Sequence, residues 1–219
     1  MNFVIFDCDG TLVDSQATIV AAMEHAFAAH GLAPPEARLV RHQVGLSLDQ
    51  AISNLVPEAG AETLTQLVEG YRRAFTELHR EQRVSEPLYG GVVETLDRLD
   101  AAGVLAGVAT GKSLSGLRAT LGRHGLENRF VTLQTADQGP GKPHPAMLER
   151  AMAEAGSEAT LSCMVGDTTF DIEMARAAGV RAIGVSWGYH PVAALRAAGA
   201  EVIIDDMRAL PAEIGIESG

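Results

Sequence analysis

From Gly91 onward the apolar residues change period at short, regular intervals, and this restricts the fold more than any other feature of the chain. A helical stretch over 92–102 stops at Gly103 and gives way to an uninterrupted apolar run over 104–109. The same unit recurs as helix 145–155, Gly156 and run 161–165, as helix 170–178, Gly179 and run 182–185, and as helix 192–198, Gly199 and run 201–204. Helix 114–124 leads likewise into a run over 130–133. Short apolar runs without polar alternation read as strands buried on both faces, and helices between consecutive parallel strands impose right-handed crossovers. A further run over 2–6, Asn-Phe-Val-Ile-Phe, reads the same way. The expected fold class is α/β, a doubly wound, Rossmann-like parallel sheet covered by helices on both faces.

Between the first run and Gly91 the pattern is helical throughout. Asp14 or Ser15 suits a helix cap, followed by Ile19, Met23, Ala26 and Phe27 at helical spacing before Gly31. A second helical pattern runs from Pro34 and Pro35 to Val44 and breaks at Gly45. Ser47 with Gln50 reads as a capping box for a third helix ending before Pro57. Leu64, Leu67, Val68, Tyr71 and Phe75 line one face of a fourth over 61–80. The chain of 219 residues is therefore expected to hold one core, 1–14 and 85–219, and an inserted all-helical cap, 15–84.

Composition excludes several classes of function. With 17 basic and 28 acidic residues the formal charge is −11, the wrong sign for a partner that is itself a polyanion, so no nucleic-acid partner is expected. No apolar stretch reaches the roughly 18 residues of a membrane helix, and the N-terminus lacks the order of a signal peptide, so a cytoplasmic protein without a membrane partner is expected. Two cysteines, Cys8 and Cys163, rule out a disulfide scaffold or a Cys-rich zinc site, and both read as packing residues. Among the 17 cations the lysines are Lys112 and Lys142; in a chain that otherwise uses arginine, a retained compact ammonium marks those positions.

Ligands of an open parallel sheet sit beyond the carboxyl ends of its strands. The residues there are Asp7-Cys8-Asp9-Gly10-Thr11, then Thr110-Gly111-Lys112, then Gly166-Asp167-Thr168 with Asp171 one helical turn on. In extended chain a spacing of two aims Asp7 and Asp9 the same way, and neighbouring carboxylates are tolerated when a cation lies between them or one holds a proton. Asp167 and Asp171 complete four oxygen ligands with no His or Cys, a hard set suited to Mg²⁺ and a phosphate. Gly10 permits a sharp turn, and the Thr11 hydroxyl can donate to a bound anion. Each Asp taken alone also suits a turn or cap.

The run 7–15, Asp-Cys-Asp-Gly-Thr-Leu-Val-Asp-Ser, resembles the first motif of the haloacid dehalogenase superfamily in the form its phosphatases carry. Thr110 resembles the second motif, Lys142 in Gly-Lys-Pro-His-Pro the third, and Gly166-Asp167 with Asp171 the fourth, all in the family's order. The helical insert is similar to the small cap of the subfamily that holds phosphoglycolate phosphatases, beta-phosphoglucomutases and bacterial pyrophosphatases. The resemblance implies that Asp7 is a nucleophile forming an aspartyl-phosphate. Asp9 would be the general acid and base, contributing to the metal through its main-chain carbonyl. Thr110, the Gly111 amide and Lys142 would hold the phosphoryl oxygens. Asp7 and Asp167 would ligate Mg²⁺ directly, and Asp171 would act through water or by orienting Lys142. Lys112 would touch the phosphate region or neutralise the mouth of the site. Gly45 either belongs to a loop over the active site or merely stops a helix. Arg41 and His42 either reach a substrate carboxylate or stay solvated, and Trp187 either lines the pocket or packs beneath a loop. The function implied is a Mg²⁺-dependent phosphatase of a small phosphorylated metabolite, with phosphoglycolate first, in a monomer or homodimer. A sugar phosphomutase and an inorganic pyrophosphatase share this machinery, while Asp9 disfavours a dehalogenase. Outside enzymes, a phosphoacceptor or phosphate-binding module is the competing class, and the helical insert argues against it.

Overall fold

The computed structural model describes residues 1–81 and 86–216. Six strands, β1 (Phe3–Phe6), β2 (Leu105–Thr110), β3 (Thr132–Thr135), β4 (Ser162–Gly166), β5 (Arg181–Val185) and β6 (Val202–Ile204), form one sheet in the order β3-β2-β1-β4-β5-β6. Every neighbouring pair is parallel. The order reverses between β1 and β4, which opens a crevice at their carboxyl ends.

The pleat of β1 explains why the sheet needs two coats. Val4 and Phe6 face a layer built with Leu96 and Leu99 of α5 (Val92–Ala101) and Leu117 and Leu121 of α6 (Leu114–Arg123). Phe3 and Ile5 face the other layer, with Met147 and Leu148 of α7 (Ala146–Ala155) and Ile172 and Ala175 of α8 (Thr169–Ala177). Alternate residues of one strand thus anchor opposite layers, so no polar residue is tolerated between them. Helices α9 (Val192–Ala198) and α10 (Leu210–Glu213) complete the core.

Helices α1 (Gln16–Ala29), α2 (Ala37–Gln43), α3 (Leu48–Leu55) and α4 (Ala61–Arg80) lie in sequence between β1 and α5. They share a separate apolar cluster that includes Met23, Phe27, Val40, Ile52, Leu67 and Val68. The expected boundary at 84/85 lies outside the described residues. Among the described residues no helix is long and apolar enough to cross a membrane.

Three local expectations differ from the structure. The strand expected over 130–133 is Thr132–Thr135, because Phe130 is used before the strand begins, edge-on against Phe6 at 6.5 Å and 73°. The capping box of α3 is half made: Ser47 Oγ accepts from the Gln50 amide, while the Gln50 side chain donates to Asn54. Ser15 stands at the start of α1 without capping it, because its hydroxyl is engaged elsewhere.

Candidate active site

Asp7 continues the ladder of β1, its amide donating to the Val165 carbonyl at 2.9 Å, and so the carboxylate emerges at the switch point. Asp7 Oδ1 accepts from the Cys8 amide at 2.6 Å and pairs with Lys142 Nζ at 2.9 Å. Asp7 Oδ2 is buried without a hydrogen-bond partner. The fully buried Lys142 ammonium reaches on to Asp171 Oδ1 at 2.6 Å. Asp171 is held at the first turn of α8, its Oδ2 accepting from the Thr168 amide at 3.0 Å and hydroxyl at 2.8 Å. Asp167 Oδ1 accepts from the Thr11 hydroxyl and its Oδ2 from the Tyr189 amide, each at 2.8 Å.

Oxygens of Asp7, Asp167 and Asp171 all lie within 4.8 Å of one another, and all three residues are buried. Burial pushes the Asp7 carboxyl up to about 7; Lys142 opposes the rise, and the Asp171 charge adds to it. Burial also raises Asp167 well above the usual carboxylate range, with Asp171 and Asp7 adding to the effect. For Lys142, burial favours loss of the proton, but the Asp171 and Asp7 charges outweigh it and raise the ammonium pKa. Once ionised, three carboxylates against one ammonium carry two uncompensated negative charges, the charge of one divalent cation. That balance and three buried, hard oxygen donors close together make the residues fit such an ion.

The Asp9 carboxylate belongs to a second group. Lys112 Nζ donates to its two oxygens at 2.8 and 3.0 Å, and the Ser15 hydroxyl donates to Oδ1 at 2.6 Å. Ser15 Oγ is also 3.1 Å from the Tyr189 hydroxyl. Burial works against the charge on Lys112, yet Asp9 outweighs it and raises its pKa.

Insert and core meet backbone to backbone above these groups. A Cβ on Gly111 would lie 2.4 Å from the Leu46 carbonyl oxygen and 2.6 Å from that of Gly45. Gly45 has φ +103°, and a Cβ there would stand 3.0 Å from Thr168 Oγ1. Beside this contact His42 of α2 stacks on His190 at 4.4 Å. His190 Nδ1 accepts from the Thr169 amide at 3.1 Å, so its proton sits on Nε2, which donates to the His42 carbonyl at 3.1 Å. The closed insert leaves a cavity of about 600 Å³ over Asp7, Asp9, Thr110 and Lys112.

With the geometry in place, a family model described as haloacid dehalogenase-like hydrolase matches residues 4–185. The chain belongs to this family. A protein named probable phosphatase IndB, from Dickeya dadantii, is 38% identical over 207 residues, covering 92% of this chain and 88% of that one. A phosphoglycolate phosphatase of Agrobacterium fabrum is 35% identical over 212 residues, covering 94% and 89%. A hydrolase of Pseudomonas syringae superposes over all of both chains with a TM-score of 0.87 at 26% identity. This haloacid dehalogenase-like hydrolase is a phosphoric monoester hydrolase of the phosphoglycolate phosphatase-like kind.

Of the residues singled out in the sequence, Asp7, Asp9, Thr110, Gly111, Lys112 and Gly45 all line the cavity. Lys142, Asp167 and Asp171 stand against Asp7. Thr11 differs from expectation: its hydroxyl is committed to Asp167 rather than offered to a bound anion. Lys112, for which the sequence leaves open contact with the phosphate region or neutralisation of the mouth, lines the cavity and is bonded to Asp9. Trp187 packs beneath a loop, its indole N–H donating to the Thr11 carbonyl and its ring 5.9 Å from Tyr89. Neither Arg41 nor His42 lines the cavity. Ser15 and Tyr189 were missed as partners of Asp9 and Asp167, although the Asp-Ser pair closing the first motif could have raised the first. Gly188 was missed too: a Cβ there would fall 2.1 Å from Asp167 Cβ, so the loop closes on that carboxylate only with glycine.

Proposed function

We propose that this chain is a Mg²⁺-dependent phosphomonoesterase that works through an aspartyl-phosphate on Asp7. The observation that carries the reading is Asp7 itself: one oxygen is fixed by Lys142 and the Cys8 amide, while the other, buried and unpartnered, is free to attack. Asp7, Asp167 and Asp171 would hold the ion, with the Asp9 main-chain carbonyl expected to join them. When bound, a divalent cation offsets charge on the phosphoryl oxygens.

The chain's own groups account for the rest. Asp7 Oδ2 forms a bond to phosphorus as the ester P–O bond breaks, and Asp9 gives the departing alkoxide a proton. Asp9 then takes a proton from water, whose oxygen attacks phosphorus; phosphate leaves and the Asp7 carboxylate is restored. Ser15 holds Asp9 in line for both transfers; an arriving phosphate monoester draws the Lys112 ammonium away from Asp9, which then takes up from solvent the proton it delivers to the leaving group. Thr110 and the Gly111 amide offer donors to the phosphoryl oxygens. Phosphoglycolate, named for the Agrobacterium relative, is the reference substrate.

The test is phosphate release from a panel of monoesters, with EDTA and with Mg²⁺ restored, together with trapping of labelled phosphoenzyme. Activity should vanish with EDTA and return with Mg²⁺, and Asp9→Asn should still accept label from an ester whose leaving group needs no proton. Full turnover in excess EDTA, or label on the Asp7→Asn protein, would refute the reading.

A further inference from the structure

The cavity is built for more than a phosphoryl group. Its floor is the polar machinery of Asp7, Thr110 and Lys112; the insert adds polar residues such as Gln43, Ser47 and Thr76, but also a patch of apolar ones, Ile19 and Met23 of α1, Val40 of α2, Tyr71 and Phe75 of α4. Tyr71 and Phe75, one helical turn apart, stack at 5.8 Å and 26° and form a continuous aromatic surface. Lys112 Nζ lies 5.2 Å from the centre of the Phe75 ring, so this surface begins where the phosphoryl machinery ends. A volume of about 600 Å³ falls in the range of roughly 300–1,000 Å³ typical of sites for much larger molecules than a two-carbon acid. A carboxylate set against this patch would face aliphatic and aromatic side chains. Among the described residues that line the cavity, the cations are Lys112, already paired with Asp9, and Arg72, exposed on α4. An unpaired buried carboxylate is strongly disfavoured, whereas an apolar ring gains from leaving water.

We infer that the preferred substrate is the phosphate ester of an alcohol carrying a flat apolar body, an aromatic ring on a short arm, rather than an ester of a small hydroxy acid. This rests on the phosphomonoesterase reading above. The aromatic pair of α4 receives the ring, and Ile19, Met23 and Val40 exclude water around it. Aromatic pairs of this kind favour offset or edge contacts with a third ring.

The experiment is a series of primary phosphate esters with alcohols of similar acidity: ethyl, butyl, benzyl and 3-phenylpropyl phosphate, with phosphoglycolate alongside. The specificity constant kcat/KM should rise about fourfold for each methylene buried, from about 0.8 kcal/mol per group. The benzyl and 3-phenylpropyl esters should exceed phosphoglycolate by tenfold or more. Benzylphosphonate should compete more tightly than methylphosphonate by a similar factor, a readout independent of turnover, and Tyr71→Leu should narrow both ratios. A flat series, or a preference for phosphoglycolate, would overturn the inference while leaving the phosphatase reading intact. Failure to release phosphate from any ester would refute that reading and the inference with it.

Discussion

Lys142 touches two carboxylates at once, 2.9 Å from Asp7 and 2.6 Å from Asp171, with its side chain wholly buried. A guanidinium is planar and wider than the ammonium that fits between the two carboxylates. Lys142→Arg should therefore lose on the order of 10²–10³-fold in kcat, nearly as much as Lys142→Ala, in steady-state assays of protein whose fold is checked by circular dichroism. Asp7 supports a second prediction, on stability. In the metal-free fold its carboxyl keeps a proton up to about pH 7, whereas the unfolded chain releases it near 3.8, so between these values the folded state binds the extra proton. Stability is then full below about pH 4 and declines as pH rises toward 7. In EDTA the wild type should lose several degrees of melting temperature between pH 5 and 7.5 relative to Asp7→Asn, at about 2–4 °C per kcal/mol, and Mg²⁺ should restore them to the wild type alone. Parallel curves for the two proteins would show that Asp7 titrates normally.

At the scale of elements, the meeting of the Gly45 and Gly111 loops sets how closely the insert rests on the sheet. Gly111→Ala places a methyl group where the Leu46 and Gly45 carbonyls lie, so the insert must lift. The expected result is a drop in kcat of about tenfold or more with melting temperature nearly unchanged, since the clash falls between two packed bodies rather than inside either. Unaltered kcat would mean that this contact does not govern closure. The same loops show what was readable beforehand. Asp7 and Thr110 are visible because each directly follows an apolar run, and Asp167 because it follows one after a single glycine; parallel-sheet logic places such residues at one edge. In the sequence Ser15 suits a helix cap, because the hydroxyls that cap helices are the same ones that orient carboxylates; only the 2.6 Å bond to Asp9 separates the two roles. Lys112 stood out by its rarity, but its partner lies 103 residues away and spacing carried no sign of it. The shift of β3 to Thr132–Thr135 has a similar cause: Gln134 and Thr135 pair in a sheet whose other strands are mostly apolar, and a hydrophobic run does not reveal polar strand residues. Tyr189, Gly188 and the aromatic wall of α4 depend on tertiary approach, which no local pattern encodes.

For the molecule as a whole, β1 is paired on both sides and all four of its residues are buried, while α2 buries Val40 alone. Hydrogen exchange should accordingly be slowest in β1 and faster in α2, read by mass spectrometry of peptides from each. Equal protection would indicate a single cooperative unit. The placement of the insert has a further consequence, for how the chain finds this fold. Phe3 pairs with Leu105, and the whole insert lies on the loop that this first parallel pairing must close. Closure entropy grows only logarithmically, about 0.6 kcal/mol for each doubling of length, so four helices weigh little on the final balance. Their effect falls instead on the rate, because distant pairings form late. A chain with its insert replaced by a short turn would reach the sheet sooner at nearly the same stability, and would arrive without the wall that encloses its substrate.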